Sequence, residues 1–267
     1  MINLNTESNS SLLQQVQNKQ ESILEKLSSG KKINSAADGA AAQQIIDRLT
    51  TEVEGSRQAI SNAYDGVSLT QVAEGGLSGI TDDVNRIREL SVQSGNGLLT
   101  DADRSAIQAE VSQLQENISQ TIEQTEFAGK PLLSSDGDID FQIGSGAGDK
   151  LGVQTQDIAA GLDDILNVDL STAQGAEDAL AAADAATEFV GDARADLGAT
   201  QNQFESAARN LSQADVNLSA ARSRIQDTDY AQATSENAAA GILSQTSIAV
   251  QGIANQQQGQ VLSLLNG

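Results

Sequence analysis

The chain has no cysteine, no histidine and no tryptophan, and only one proline among its 267 residues. Without cysteine there is neither a disulfide framework nor thiolate chemistry. Without histidine the commonest general base and metal ligand is missing. Aromatic residues make up 2% of the chain, which excludes a thick globular core of large interlocking rings. No stretch approaches the roughly 20 apolar residues of a membrane span. The first thirteen residues, Met1 to Leu13, lack the basic start and apolar run of a cleaved leader. Basic residues are scarce as well: 15 against 37 acidic ones give a formal net charge of -22, and like charge sets nucleic-acid phosphates and anionic membranes aside as partners.

What the chain does contain is helix. Its single proline, Pro131, leaves long stretches free to be helical. Six large apolar residues near the C-terminal end stand seven apart: Val190, Leu197, Phe204, Leu211, Leu218 and Ile225. Three positions after each comes a small one, Ala193, Thr200, Ala207, Ala214, Ala221 and Thr228. A repeat of seven keeps one seam facing a partner helix, so these six are the expected coiled-coil seam of a helix running to about Ile225, with a neighbouring backbone close by. Ile46, Val53, Ile60 and Val67 repeat at the same interval on an earlier helix, continued less regularly by Leu77, Ile80, Val84, Ile87 and Leu90. That helix is opened by a capping-box pattern at Ser35–Asp38 and stopped by Gly95-Asn96-Gly97. Thr100-Asp101-Ala102-Asp103 starts a third helix with acids in its first turn, expected to end at Gly129 and Pro131. Apolar and polar residues alternate over Ile139, Phe141 and Ile143, then over Leu151 and Val153, which predicts a β-hairpin near 138–154.

The charges are unevenly placed. Residues 1–50 hold five acids and five bases, and from Ala231 onward Glu236 is the only charged side chain. Between Pro131 and Asp192, thirteen acids face one base, Lys150. Such a block belongs in water, whereas neutral ends can pack against copies of themselves without accumulating repulsion. The expected fold class is therefore mainly α. Long antiparallel coiled-coil helices come from both chain ends, with a small β-hairpin in the middle. Arms 1–34 and 231–267 form one split domain, flanking a rod of residues 35–230.

Chemical sites are not expected. Asp136, Asp138 and Asp140 have the spacing of a calcium loop, but Phe141 stands where that loop needs glycine and Ala147 where it needs a bidentate glutamate. The run Gly144–Gly148 lacks the lysine and following helix of a phosphate loop. Asp82-Asp83 and Asp163-Asp164 are adjacent on helices and do not converge, so both read as solvated surface. Catalytic, metal and cofactor residues are accordingly none, and the chain is not expected to be an enzyme.

Four segments in order, Leu27–Asp38 (LSSGKKINSAAD), Arg88–Gln93 (RELSVQ), Leu218–Asp227 (LSAARSRIQD) and Val261–Leu265 (VLSLL), resemble the bacterial flagellins. The resemblance covers both ends and most of the chain. It implies a filament subunit with a split inner domain and a helical rod, forming a homo-oligomer outside the cell for swimming motility. It also implies export by the flagellar type III system without a cleaved signal peptide, an export chaperone on the C-terminal arm, and contacts with filament cap and hook-junction proteins. Toll-like receptor 5 recognises this family through an Arg, a Leu four residues on and a Glu on the next helix, which match Arg86, Leu90 and Glu110 here. Asn85 replaces the family's frequent Gln before that Arg. Gly39, Ala42 and Gly259 also depart from the usual residues, and the middle is too short for a large outer domain. A hook-filament junction protein is the alternative in the same class, and a cytoplasmic coiled-coil scaffold the alternative outside it. The scaffold reading leaves the uncharged ends unexplained.

Overall fold

A computed structural model describes residues 3–265, with side chains from 11 to 260 apart from 258. The terminal run Val261, Leu262, Leu264 and Leu265 therefore lies outside the described side chains. Seven helices are present among the described residues: α1 (Asn3–Ser29), α2 (Ala36–Ser94), α3 (Asp101–Gln124), two single turns α4 (Ile158–Gly161) and α5 (Asp163–Leu166), α6 (Ala173–Gln226) and α7 (Tyr230–Leu265). Two small antiparallel sheets accompany them, β1 (Glu126–Phe127) with β2 (Lys130–Pro131) and β3 (Gly137–Gln142) with β4 (Lys150–Thr155). The chain divides into two compact units, one of residues 1–53 with 216–267 and the other of residues 54–215.

In the 54–215 unit, α2, α3 and α6 pack on one core with the segment that carries α4 and α5. Leu77, Ile80, Ile87 and Leu90 of α2 meet Val111 and Ile118 of α3, Ile158, Leu162 and Ile165, and the alanine face of α6. Upstream of Val190, α6 contributes alanines where α2 and α3 contribute branched side chains, which lets the helices approach closely there. α3 is held at its start by a complete capping box. The Thr100 hydroxyl accepts from the Asp103 N–H at 3.3 Å, and the Asp103 carboxylate accepts from the Thr100 N–H at 2.9 Å. Its end differs from expectation. The helix stops at Gln124, and Pro131 stands in β2 beyond a turn whose Ala128 and Gly129 have φ of 51° and 77°. A β-turn before the proline ends the helix, with Thr125 folding its hydroxyl back onto the Thr121 carbonyl at 2.6 Å. The expected hairpin is present as β3 and β4, with Ile139 opposite Val153 and Phe141 opposite Leu151.

In the other unit α1 packs against α7. The covered positions of α1 include Leu13, Val16, Gln20, Ile23 and Leu27; those of α7 include Ala233, Asn237, Ala240, Ser244, Ser247, Gln251 and Ala254. Both follow alternating steps of three and four. The α1–α2 and α6–α7 junctions are clasped together. The Lys32 N–H donates to the Gln226 carbonyl at 2.5 Å, the Thr228 N–H to the Gly30 carbonyl at 3.0 Å, and the Tyr230 hydroxyl to the Leu27 carbonyl at 2.8 Å. Gly30 has φ of 69°, the left-handed geometry that glycine supplies after a helix end. The capping pattern at Ser35 is half realised. The Asp38 carboxylate accepts from the Asn34 and Ser35 N–H groups at 3.0 and 2.9 Å, and the Ser35 hydroxyl also donates to that carboxylate. The first turn of α2 is then interrupted by extended backbone at Gly39 (φ 163°, ψ 94°).

Candidate assembly interface

The seven-residue pattern of α6 maps onto graded burial. Val190 and Phe204 are fully buried, while Leu197, Leu211, Leu218 and Ile225 are half-buried. The same register extends further upstream than the large residues reveal. Ala176, Ala179, Ala183 and Ala186 are all buried and lead into Val190 by alternating steps of three and four. Phe204 is the largest side chain in this core. Its ring lies where α2 has Gly66, at which a Cβ would come within 2.5 Å of the ring, and it meets Phe141 of β3 edge-on at 5.3 Å. One aromatic residue thus fastens the hairpin and both long helices.

Ion pairs flank this packing. Arg57 reaches Asp215 at 3.3 Å, Arg88 reaches Asp184 at 2.8 Å and Arg194 reaches Glu74 at 3.5 Å. Exposed pairs of this kind contribute about 0 to 1 kcal/mol each, so they align the helices more than they stabilise them. Arg104 is different because it is buried. Its guanidinium donates to the Ser94 and Asn96 carbonyls, satisfying the C-terminal end of α2 from the first turn of α3. Sequence reasoning missed this role, although an arginine directly after a capping box and shortly after the Gly95-Asn96-Gly97 stop was the available signal.

The structure brings Arg86 and Glu110 together. The Arg86 Nη2 and Nε donate to Glu110 Oε1 at 2.7 and 3.0 Å, and its Nη1 donates to Glu89 Oε2 at 2.9 Å. Both side chains remain about half-exposed, at 48%. The Arg86 pKa is raised above its ordinary value, first by the hydrogen bond to Glu110 and then by that to Glu89. Leu90 is only 2% exposed and lies in the core, one turn beyond Arg86 on the same helix. The expectation for Asp82-Asp83 needs correction. Asp82 is exposed, but Asp83 is half-buried and its carboxyl is pushed up, first by desolvation and then by the charge of Asp82. Of the calcium-spaced aspartates, Asp140 pairs with Lys150 at 3.2 Å and Asp136 accepts the Asp157 N–H at 2.9 Å.

α7 has an inverted pattern. Its face against α1 carries Ala, Asn, Ser and Gln, whereas Ile242, Leu243, Ile248, Val250 and Ile253 are exposed, Ile242 at 68% and Ile253 at 57%. Within the seam, Asn237 Oδ1 and Gln251 Oε1 are buried without a hydrogen-bond partner among the described residues. A helix that points polar groups inward and branched aliphatics outward leaves most of its large apolar surface in water when it folds alone, and a run of exposed aliphatics marks an interaction surface. The sequence signal was the polar heptad Asn237, Ser244 and Gln251.

Long paired helices and an outward apolar face on α7 are features of a self-assembling subunit. Residues 2–137 match the family model described as bacterial flagellin N-terminal helical region, and residues 180–265 match the bacterial flagellin C-terminal helical region. The chain is 38% identical over 259 residues to the flagellar filament 30.7 kDa core protein of Treponema maltophilum, covering 91% of each. It is 37% identical over 277 residues to flagellin of Bacillus subtilis strain 168, again covering 91% of each. In fold it is similar to the crystal structure of Bacillus cereus flagellin (TM-score 0.53, 24% identity, 57% of this chain and 88% of that one). It is also similar to a putative flagellar hook-associated protein from Vibrio parahaemolyticus (TM-score 0.61, 16% identity, 71% and 100%). The chain belongs to the bacterial flagellin family. It is a subunit that polymerises into the extracellular flagellar filament and serves motility. No helix among the described residues is long and apolar enough to cross a membrane.

Proposed function

We propose that the outward aliphatic face of α7 is the surface through which the arms, residues 1–34 and 231–267, build the inner part of the filament, while residues 35–230 form a coiled-coil rod. The observation that carries this is the inversion of α7, with Ile242 and Ile253 in water and Ser244 and Gln251 covered. In the rod, α2 and α6 meet along the seam Val190, Leu197, Phe204, Leu211, Leu218 and Ile225, preceded by the alanine steps. A heterologous contact repeated without closure produces an open fibre. Export proceeds unfolded through the flagellar type III apparatus without a cleaved leader. Before assembly an export chaperone covers the same apolar face of α7, and cap and hook-junction proteins bound the growing fibre. Replacing Ile242 and Ile253 by Asp is expected to abolish seeded polymerisation while leaving the monomer's thermal melt unchanged, because both side chains are exposed in the monomer. Normal fibres from this variant, seen by electron microscopy, would contradict the proposal.

Of Arg86, Leu90 and Glu110, the two charged residues form the exposed part of the proposed Toll-like receptor 5 site and Leu90 is buried beneath them. Arg86 and Glu110 offer a planar, half-exposed ion pair, and Leu90 supports them by anchoring this turn of α2 in the core. Arg86→Ala is expected to weaken a receptor-reporter response by an amount consistent with a hot spot of ~2 kcal/mol, relative to wild type and Asp164→Ala. Identical dose-response curves for all three would remove the receptor claim.

A further inference from the structure

We propose that Asn96 is a site of covalent self-modification, at which the Gly97 amide nitrogen closes on the Asn96 side chain and the residue becomes isoaspartate. Asn96 and Gly97 lie in the turn between α2 and α3, and both are exposed. Three donors converge on the two carbonyl groups of Asn96. The Leu98 N–H donates to the side-chain Oδ1 at 3.0 Å, and the Leu99 N–H and Arg104 Nη2 donate to the backbone carbonyl, each at 3.2 Å. The Gly97 N–H donates no hydrogen bond among the described residues, and nothing lies within 4 Å of where a Cβ at Gly97 would stand. The nucleophilic nitrogen is therefore uncommitted and open, while the carbon it attacks is polarised.

The two carbonyls take part in successive steps. In the first, solvent hydroxide removes the Gly97 N–H proton and the nitrogen bonds to Asn96 Cγ. The Cγ–Nδ2 bond then breaks, with a proton from water, to release ammonia and leave a five-membered succinimide. The Leu98 N–H lies on the oxygen where negative charge develops during this attack, as an oxyanion-hole donor does. Donors on the backbone carbonyl draw electrons from the peptide it shares with the Gly97 nitrogen, which makes that N–H more acidic. In the second step water adds to one of the two ring carbonyls. Opening at the backbone carbon breaks its bond to the Gly97 nitrogen, so the chain continues through Cβ and Cγ and the former backbone carbonyl becomes a free carboxylate. Opening at Cγ restores the ordinary chain as aspartate. Arg104 favours the first outcome, because its guanidinium already donates to the oxygen that acquires the charge, and a bond between two charged groups is about twice as strong as a neutral one. Buried and anchored on the Ser94 carbonyl as well, Arg104 is held in place for this role. The chain's other Asn-Gly pair, Asn266-Gly267, lies outside the described residues and supplies the reference for the dipeptide alone.

The full native chain is incubated in mildly alkaline buffer and digested, and its peptides are read by mass spectrometry, with isoaspartate scored by enzymatic methylation of its free carboxylate. Asn96 is expected to convert about tenfold faster than Asn210, an exposed asparagine of α6 that is followed by Leu211. Its ratio of isoaspartate to aspartate is expected to exceed that at Asn266 about fivefold, and to fall to the Asn266 value in guanidinium chloride, where Arg104 no longer meets the carbonyl. The same fall is expected in Arg104→Gln. Gly97→Ala, whose methyl meets no neighbour, is expected to slow conversion about tenfold and leave the fold intact. Conversion of Asn96 no faster than that of Asn210, or of Gly97→Ala as fast as wild type, would overturn the site. A ratio at Asn96 that is the same in native and unfolded chain would overturn the part assigned to Arg104.

Discussion

Phe204 occupies space that α2 leaves open by having no side chain at Gly66. The glycine is helical, and alanine there would gain about 1 kcal/mol in helix propensity. The added methyl would come within 2.5 Å of the Phe204 ring and displace it from Phe141. Overpacking of this kind costs about 1 to 3 kcal/mol, so the clash outweighs the propensity gain. Gly66→Ala is therefore expected to lower the melting temperature of the monomer. Gly75→Ala, with nothing within 4 Å of the added carbon, is expected to raise it. Melts followed by circular dichroism check both, and stabilisation by Gly66→Ala would mean that the aromatic lock contributes little. The large residues Val190 and Phe204 were legible as core because spacing and size agree. The buried Ala176 to Ala186 steps were not, because alanine is equally at home on any face of a helix and its burial is decided by the partner.

At the scale of the element, α3 shows how a short motif fixes a helix end. Asp103 has its pKa held below the usual carboxylate range, first by the hydrogen bond to the Thr100 hydroxyl and then by that to the Thr100 N–H. A carboxyl with a depressed folded-state pKa contributes stability that is fully present above its unfolded value and is lost as pH falls through the folded one. Acid titration between about pH 5 and pH 2 is expected to destabilise wild type more steeply than Asp103→Asn, which has no carboxyl to titrate. Parallel curves would show that the box does not couple to folding. The opening of α3 was readable from Thr100 and Asp103 because a capping box is local in sequence. Its end was not, because the Thr125 to Leu132 turn is set by pairing of Glu126–Phe127 with Lys130–Pro131, and the proline serves that turn instead of breaking a helix.

For the whole molecule, charge and polarity are divided between the two units. The 54–215 unit holds 28 acidic and 8 basic residues, against 9 and 7 in the unit made of both chain ends. Mutual repulsion between copies therefore falls chiefly on one unit, and the other is free to pack closely. The neutrality of the arms was legible in the sequence. The direction in which α7 faces was not, because Ile242 to Ile253 read as an ordinary apolar run until α1 was seen to cover the opposite, polar side. Solvent footprinting by hydroxyl radicals, applied to monomer and filament at matched dose, tests that orientation directly. Modification of Ile242, Leu243, Ile248, Val250 and Ile253 is expected to be strong in the monomer and to fall about tenfold in the filament, as their apolar surface passes from water into contacts with other copies. Equal modification of these five residues in both states would contradict the account of how this chain assembles.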